Sequence, residues 1–170
     1  MRPMPRLAAL LLCLPLAAYA STPSAPVASY FLVRHAEKAN DDPRDPNLSE
    51  AGRARAEQLA QWFKDKPLRA VYATAYKRTQ QTAEPTARAH HLSVVTYDAK
   101  RPAAEFAAQL RSDWPSGTVL VVGHSNTVPE ITSALCRCSV EAMPETEFNR
   151  RTRVDFYSEG HIVVTQTRDR

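Results

Sequence analysis

The residues that decide the fold are 30–38, which read Tyr-Phe-Leu-Val-Arg-His-Ala-Glu-Lys. The first four are apolar and favour β structure, a pattern that predicts a short buried strand. Arg34 and His35 follow at its carboxyl end, the edge where open α/β sheets bind ligands. An arginine offers an anion a fixed fork of donors, and a histidine beside it can act as a nucleophile or base. A surface turn held by ion pairs fits these residues equally well, and the choice depends on the rest of the chain.

The 170 residues suggest one domain that is large enough for a proper core and is preceded by a secretory leader. The leader has a basic start at Arg2 and Arg6, an apolar run at 7–16 and a small-x-small sequence at 18–20. Because that run is too short to span a membrane, we expect a signal peptide cleaved after Ala20 and no stable membrane insertion. The predicted parts of the chain are a signal peptide at 1–20, a Pro- and Ser-rich linker at 21–28 and one domain at 29–170, in a periplasmic or secreted protein.

Charge and cysteine usage narrow the class of protein. The formal net charge is +4, two units of which come from the leader, and no basic run with interleaved aromatic residues is present. Nucleic acid is therefore not an expected partner. Cys136 and Cys138 form a Cys-x-Cys pair, which is a weak metal site with only two ligands and is better explained by two thiols at a helix end or, in an oxidising compartment, by a local disulfide. Cys13 leaves lipid anchoring open as an alternative, although Leu12 stands where a small residue is usual.

Strand and helix patterns alternate along the chain. The predicted strands cover about 30–33, 68–73, 92–97, 118–122, 154–157 and 162–167, and the predicted helices about 49–64, 78–90, 103–110 and 128–136. Pro85 is expected to kink or interrupt the second helix. This alternation predicts an α/β fold, a three-layer sandwich in which helices flank a mainly parallel central sheet.

Three of the predicted strands end in side chains that suit a phosphate group. Arg34 and His35 follow the first strand, Arg78 begins the helix after the second, and Gly123 and His124 follow the fourth. Because parallel strands end at the same edge of a sheet, we expect these side chains to face one pocket. Arginine forks and helix N-termini both favour phosphate, so the pocket is predicted to bind a phosphate ester.

These motifs, in this order, resemble those of the histidine phosphatase superfamily, which has the phosphoglycerate-mutase-like fold. The matching elements are Arg34-His35-Ala36, Leu48-Ser49-Glu50-Ala51-Gly52, Thr74 to Arg78 with Thr79 and Thr82 after it, and Val121-Val122-Gly123-His124. Four ordered elements between about residues 30 and 135 are far more specific than an Arg-His pair. Thr74 stands where the family usually has serine. The pattern is most similar to that of small secreted or periplasmic members.

The resemblance implies a phosphatase that forms a covalent phosphohistidine. His35 would attack phosphorus through one ring nitrogen, while a carbonyl or carboxylate at the other nitrogen fixes the tautomer. Arg34, Arg78 and a protonated His124 would bind the phosphoryl oxygens and stabilise the transition state. No metal and no cofactor are expected, because three cationic side chains supply the positive charge. The expected partner is a small-molecule or envelope-linked phosphate monoester.

The general acid that protonates the leaving group is the least specified part of the site. Larger family members place a glutamate after the third strand, where Glu105 is the nearest match and Asp98 the alternative. Some short members lack this carboxylate and act on leaving groups that need little protonation, such as phosphohistidine. Asn126 is a candidate for phosphate binding, and Ser125 is expected to cap the helix that follows it.

Two other functions fit parts of the pattern. A phosphomutase is disfavoured because mutases are usually longer and cytoplasmic and need additional loops. A non-catalytic anion-binding envelope protein on the same fold has no need of a nucleophile, so the Arg34-His35 pair together with His124 favours catalysis. Glu37 and Lys38 either form a local ion pair or contact the substrate.

Overall fold

The computed structural model describes residues 24–169, which fold into a six-stranded sheet and four helices. The strands are β1 (Ala28–Arg34), β2 (Leu68–Thr74), β3 (Val94–Tyr97), β4 (Gly117–Gly123), β5 (Arg150–Phe156) and β6 (Ile162–Arg168), and the helices are α1 (Glu50–Phe63), α2 (Lys77–Ala89), α3 (Ala103–Asp113) and α4 (Thr127–Cys136). The strand order is β3-β2-β4-β1-β5-β6. The predicted signal peptide and the first residues of the predicted linker lie outside the described part of the chain.

Strand β1 separates two hydrophobic clusters, one on each face of the sheet. Tyr30 and Leu32 belong to the cluster that contains residues of α3 and α4, whereas Phe31 and Val33 belong to the cluster that contains residues of α1 and α2. This alternation follows from the two-residue period of a strand. Because both faces are covered, the strand is apolar throughout, and the predicted three-layer α/β fold is confirmed.

The carboxyl ends of β1, β2 and β4 lie side by side. Strand β4 pairs with β1 and with β2 in parallel, and the register sets Arg34 opposite Gly123 and Ala73 opposite Val122. Strand β5 runs antiparallel to β1 on the other side. The three polar turns therefore leave the sheet at one edge, as predicted.

Two predicted elements differ from the structure. Helix α2 continues through Pro85, so its expected interruption is wrong, and Pro85 is buried with Thr82 and Ala83. Packing of this face outweighs the loss of one helical hydrogen bond. Strand β5 begins at Arg150, four residues before the predicted start at 154, because hydrogen bonds to β1 and β6 stabilise a polar sequence there.

The segment after α4 is held by a covalent link. Cys136 and Cys138 form a disulfide, which is one of the two alternatives that the sequence left open. Within residues 24–169, no helix combines the length and the apolar character that a membrane crossing requires.

Helix α1 packs tightly on the loop that follows His35. Ser49 is its N-cap, and the side chain of Ser49 accepts a hydrogen bond from the Gly52 N–H. A Cβ atom at Gly52 would lie 2.2 Å from the backbone oxygen of Glu37. Because this overlap is with main chain, no side-chain rotation relieves it, and glycine is required here by close approach.

We expect Gly52→Ala to lower the free energy of unfolding by about 1–3 kcal/mol, the usual cost of overpacking, as measured by urea denaturation. Gln58→Ala, on the exposed surface of the same helix, should stay within about 0.5 kcal/mol of the parent. Equal stability of the two variants would contradict the role given to Gly52.

Candidate active site

A cavity of about 350 Å³ opens at this edge of the sheet. The predicted residues His35, Arg78, His124 and Asn126 all line it. We call it the basic pocket, because the described residues that line it include Lys38, Arg78 and Lys100 beside the two histidines, and one carboxylate, that of Glu145. Such an excess of cationic groups favours an anionic ligand.

His35 is held in the protonation state that a nucleophile needs. The ring is 3% exposed, and its Nδ1 lies 2.8 Å from the backbone oxygen of Ala36. A carbonyl only accepts hydrogen bonds, so Nδ1 carries the proton and the lone pair is on Nε2. Burial lowers the pKa of His35 to about 3, and the charges of Arg34 and Arg78 act in the same direction. The predicted carbonyl partner is confirmed, and the imidazole is neutral at physiological pH.

Two threonine hydroxyls fix the tautomer of His124. Thr79 Oγ1 lies 2.7 Å from the backbone oxygen of Tyr76 and 3.0 Å from that of Thr74, so its proton points to a carbonyl. It must then accept from Thr74 Oγ1, 2.8 Å away. The proton of Thr74 is thereby used, and its oxygen accepts from His124 Nε2 at 3.0 Å. A neutral His124 therefore has its lone pair on Nδ1.

The charge of His124 differs from the expectation for a phosphate complex. Burial lowers the pKa of His124 to about 4, and the nearby Arg78 and Arg34 lower it further, although Glu145 opposes them. His124 is therefore neutral near pH 7 in the free protein. A bound phosphate dianion would raise its pKa, because an opposite charge favours the protonated form.

Arg34 lies beneath the basic pocket rather than in its lining. The residue is 3% exposed, and its guanidinium donates to the backbone oxygens of residues 144, 145 and 147. Its Nη2 lies 2.7 Å from a carboxylate oxygen of Glu145, and the group stacks 4.2 Å from the centre of the Phe148 ring. The predicted first arm of the phosphate clamp is thus bound to Glu145 in the free protein.

Arg78 is less engaged and faces the cavity. Its nearest carboxylate is that of Asp45, 3.7 Å from Nη1, and its guanidinium stacks 4.4 Å from the centre of the Tyr76 ring. Its Nε has no hydrogen-bond partner within residues 24–169. The donors of Arg78 are therefore available to an incoming anion.

The predicted general acid lies elsewhere. Glu105 does not line the basic pocket. Its side chain is 63% exposed, and its carboxylate lies 3.6 Å from Arg101 Nε. Asp98, the alternative, is exposed and accepts a hydrogen bond from the backbone of Lys100. The assignment of Glu105 is therefore corrected, because α3 presents this side chain to solvent.

Glu145 is the functional candidate that the sequence did not reveal. One carboxylate oxygen accepts from Ser125 Oγ and the other from Arg34. The hydrogen bond from Ser125 and the charges of Arg34 and Lys38 hold the pKa of Glu145 below its usual range. Glu145 lies in a loop after α4, and no strand end or helical spacing marks it. Ser125 was expected to cap α4, yet its hydroxyl binds this carboxylate.

Glu37 and Lys38 have separate roles. Both carboxylate oxygens of Glu37 accept hydrogen bonds from Arg55 on α1, at distances from 2.6 to 3.0 Å. Lys38 lines the basic pocket. Glu37 therefore anchors the turn after His35, while Lys38 contributes its charge to the cavity.

Comparison with known proteins finds a family model that matches part of the chain. Residues 30–101 match the family model of the histidine phosphatase superfamily (branch 1). No curated protein matches the chain in sequence. This match agrees with the resemblance that the motifs indicated.

Solved structures share the fold at low sequence identity. The tungstate complex of the protein histidine phosphatase SixA has a TM-score of 0.67 and 21% identity, over 82% of this chain and 96% of that chain. Bacillus stearothermophilus YhfR has a TM-score of 0.67 and 16% identity, over 81% and 95% of the two chains. The mycobacterial glucosyl-3-phosphoglycerate phosphatase Rv2419c with VO3 has a TM-score of 0.67 and 13% identity, over 86% and 100%.

The lowered pKa values of His35 and His124 predict a loss of stability in acid. Between about pH 6.5 and 4 each histidine binds a proton in the unfolded chain but not in the folded one, so the free energy of unfolding falls as pH falls. Each should contribute a slope of about 1.4 kcal/mol per pH unit in urea denaturation. His35→Asn should reduce the slope, whereas the matched variant of the exposed His161 should retain it. An unchanged slope in His35→Asn would refute the assignment.

Glu145→Gln should strengthen anion binding, because it removes the carboxylate that competes for Arg34. We expect the Kd for inorganic phosphate, measured by calorimetry, to fall by about twofold to fivefold, which is the range of one exposed ion pair. Glu105→Gln is the matched control and should leave the Kd unchanged. An equal Kd in the parent and in Glu145→Gln would show that the carboxylate does not compete.

Proposed function

We propose that the protein is a phosphatase that hydrolyses phosphate monoesters through a covalent phosphohistidine on His35. One observation supports it above all. The buried, neutral imidazole keeps its proton on Nδ1 through Ala36, which leaves the lone pair on Nε2, and His35 lines a cavity together with Arg78 and His124. This combination suits nucleophilic attack on a bound phosphoryl group. The match of residues 30–101 to the histidine phosphatase superfamily supports the same chemistry.

In the first step the lone pair of His35 Nε2 attacks phosphorus, and the bond from phosphorus to the leaving oxygen breaks. The leaving oxygen keeps the bonding electrons and takes a proton from solvent. The charge on the phosphoryl oxygens is stabilised by the donors of Arg78 and, once Glu145 moves aside, of Arg34. In the second step water attacks phosphorus, the N–P bond breaks and its electrons return to Nε2. The lone pair on His124 Nδ1 can accept the proton that the water loses.

The cationic groups make added metal unnecessary in this proposal. Arg34 and Arg78 carry fixed positive charge into the site, and Lys38 and Lys100 add to it at the cavity lining. We therefore expect full activity in the presence of a chelator.

An envelope location is also part of the proposal. The signal-peptide features of residues 1–20 point to export. The disulfide between Cys136 and Cys138 supports an oxidising compartment such as the periplasm or the extracellular space.

A second candidate substrate is a phosphoramidate, such as phosphohistidine. The observation that favours it is the state of Glu145, whose pKa is lowered rather than raised. Among residues 24–169 it is the only carboxylate that lines the basic pocket. A group in that state does not readily protonate a leaving alkoxide. SixA, one of the similar structures, is a protein histidine phosphatase.

The mature protein should hydrolyse p-nitrophenyl phosphate at mildly acidic pH with a chelator present, and His35→Ala should lose at least about a thousandfold in kcat, as expected for loss of a nucleophile. Quenching of a turnover reaction should trap phosphate on His35, detected by mass spectrometry. His161→Ala, which changes an exposed histidine, is the matched control and should keep full activity.

Equal rates for the parent and His35→Ala would refute the mechanism and favour the non-catalytic anion-binding alternative. Phosphoramidate provides the comparison for the second candidate. A kcat/KM for phosphoramidate well above that for an alkyl phosphate would identify the P–N bond as the better substrate.

A further inference from the structure

A second cleft adjoins the basic pocket and takes no part in the reaction described above. Its volume is about 820 Å³, compared with about 350 Å³ for the basic pocket. Ser125 and Asn126 line both cavities, so a ligand bound in one can extend into the other. A space of this size is typical of sites for small organic molecules and far exceeds the needs of a phosphate group.

Three segments of the chain form the second cleft. They are the start of α3 at Ala103 and Ala104, the turn at 125–126 with one face of α4 after it, and residues 139, 140, 142 and 143. The α4 residues follow the spacing of one helical face and are Pro129, Glu130, Ser133 and Ala134.

Residues 139–143 are fixed in position before any ligand binds. The disulfide between Cys136 and Cys138 closes the turn that leads into them. Arg150, which is 2% exposed, donates to the backbone oxygens of residues 141 and 142 at 3.1 Å each. A preformed site binds its ligand without the cost of ordering a loop.

The chemistry of the second cleft differs from that of the basic pocket. Seven of its twelve lining residues are Ala, Pro, Val or Met, four are Ser or Asn, and Glu130 is the single charged one. Ser133 Oγ donates to the Cys138 carbonyl at 2.7 Å, which leaves its lone pairs available to a ligand hydroxyl. A group with its own negative charge would meet Glu130 and no cation here.

We propose that the second cleft binds the leaving group of the substrate, and that this group is uncharged, bears hydroxyls and has the size of a sugar ring. The proposal rests on the proposed function for the position of the phosphate at His35. From there the sugar extends past Ser125 and Asn126 into the cleft. Apolar faces of the ring contact the alanines, its hydroxyls reach the serines, and Glu130 excludes carboxylates. The protein therefore selects neutral sugar phosphates over acidic ones.

Two substrates that differ in one group test the selection. Glucose 1-phosphate and glucuronic acid 1-phosphate share a ring but end in a hydroxymethyl group and a carboxylate. We expect kcat/KM to be at least about fivefold higher for glucose 1-phosphate, as for one like-charge contact near a surface. Glu130→Lys should abolish this preference, and Glu84→Lys on the exposed surface of α2 should keep it. Equal values in the parent, or an unchanged preference in Glu130→Lys, would overturn the proposal.

A binding measurement separates the site from catalysis. In the His35→Ala background, calorimetry should give a Kd for glucose 1-phosphate at least about fivefold below that for inorganic phosphate, because the sugar adds contacts in the cleft. Adding Ala134→Trp, which fills the cleft, should remove the difference, whereas Ala89→Trp on exposed α2 surface should not.

The outcomes distinguish the two proposals. If the parent protein hydrolyses p-nitrophenyl phosphate but the His35→Ala variant binds glucose 1-phosphate no more tightly than phosphate, the phosphatase assignment stands. The leaving-group site is then refuted. If the parent protein is inactive but glucose 1-phosphate binds more tightly than inorganic phosphate, the phosphatase assignment is refuted. The leaving-group site then stands.

Discussion

The hydrogen bonds of the buried Arg34 guanidinium hold the functional end of the molecule together. Arg34 ends β1, and its donors reach the backbone oxygens of residues 144, 145 and 147, so the central sheet and the segment after α4 form one unit. A buried guanidinium is costly unless its donors are used, and here carbonyls, one carboxylate and the Phe148 ring meet it. Arg150 on β5 makes equivalent bonds to residues 141 and 142. Two arginines therefore position one side of both cavities.

The same positive charge sets the state of the reactive histidines. Arg34 and Arg78 attract an anion, and they also lower the pKa values of His35 and His124, which burial has already lowered. A neutral nucleophile beside fixed cations needs no proton removed before it attacks. Glu145 balances part of that charge while the site is empty, and its carboxylate lies against the groups that would otherwise bind phosphoryl oxygens. Glu145 thus reduces the repulsion between the clustered cationic side chains until an anion binds.

Local sequence patterns were sufficient for the sheet, the helices and three of the site residues. His35, Arg78 and His124 each follow an apolar strand, and parallel pairing brings strand ends to one edge, so their meeting is a consequence of topology. The same patterns did not predict Glu145 and placed Glu105 in the site wrongly. A loop residue is placed by distant contacts, here Arg34 and Ser125, that no spacing encodes. Helix α3 carries Glu105, and its rotation about the sheet decides which side chains face the cavity. The continuation of α2 through Pro85 likewise depends on tertiary packing.

The partner of His35 Nδ1 is a main-chain oxygen, that of Ala36. Every amino acid supplies such an oxygen, so no point mutation at position 36 can delete the acceptor that orients the nucleophile. What can disturb it is a change in the direction of the peptide plane, and that direction depends on Glu37, Arg55 and Gly52. The orientation of the histidine therefore depends on contacts with α1, a helix whose residues do not line the basic pocket. Substitutions at the contact between α1 and the turn after His35 are therefore expected to change the catalytic rate.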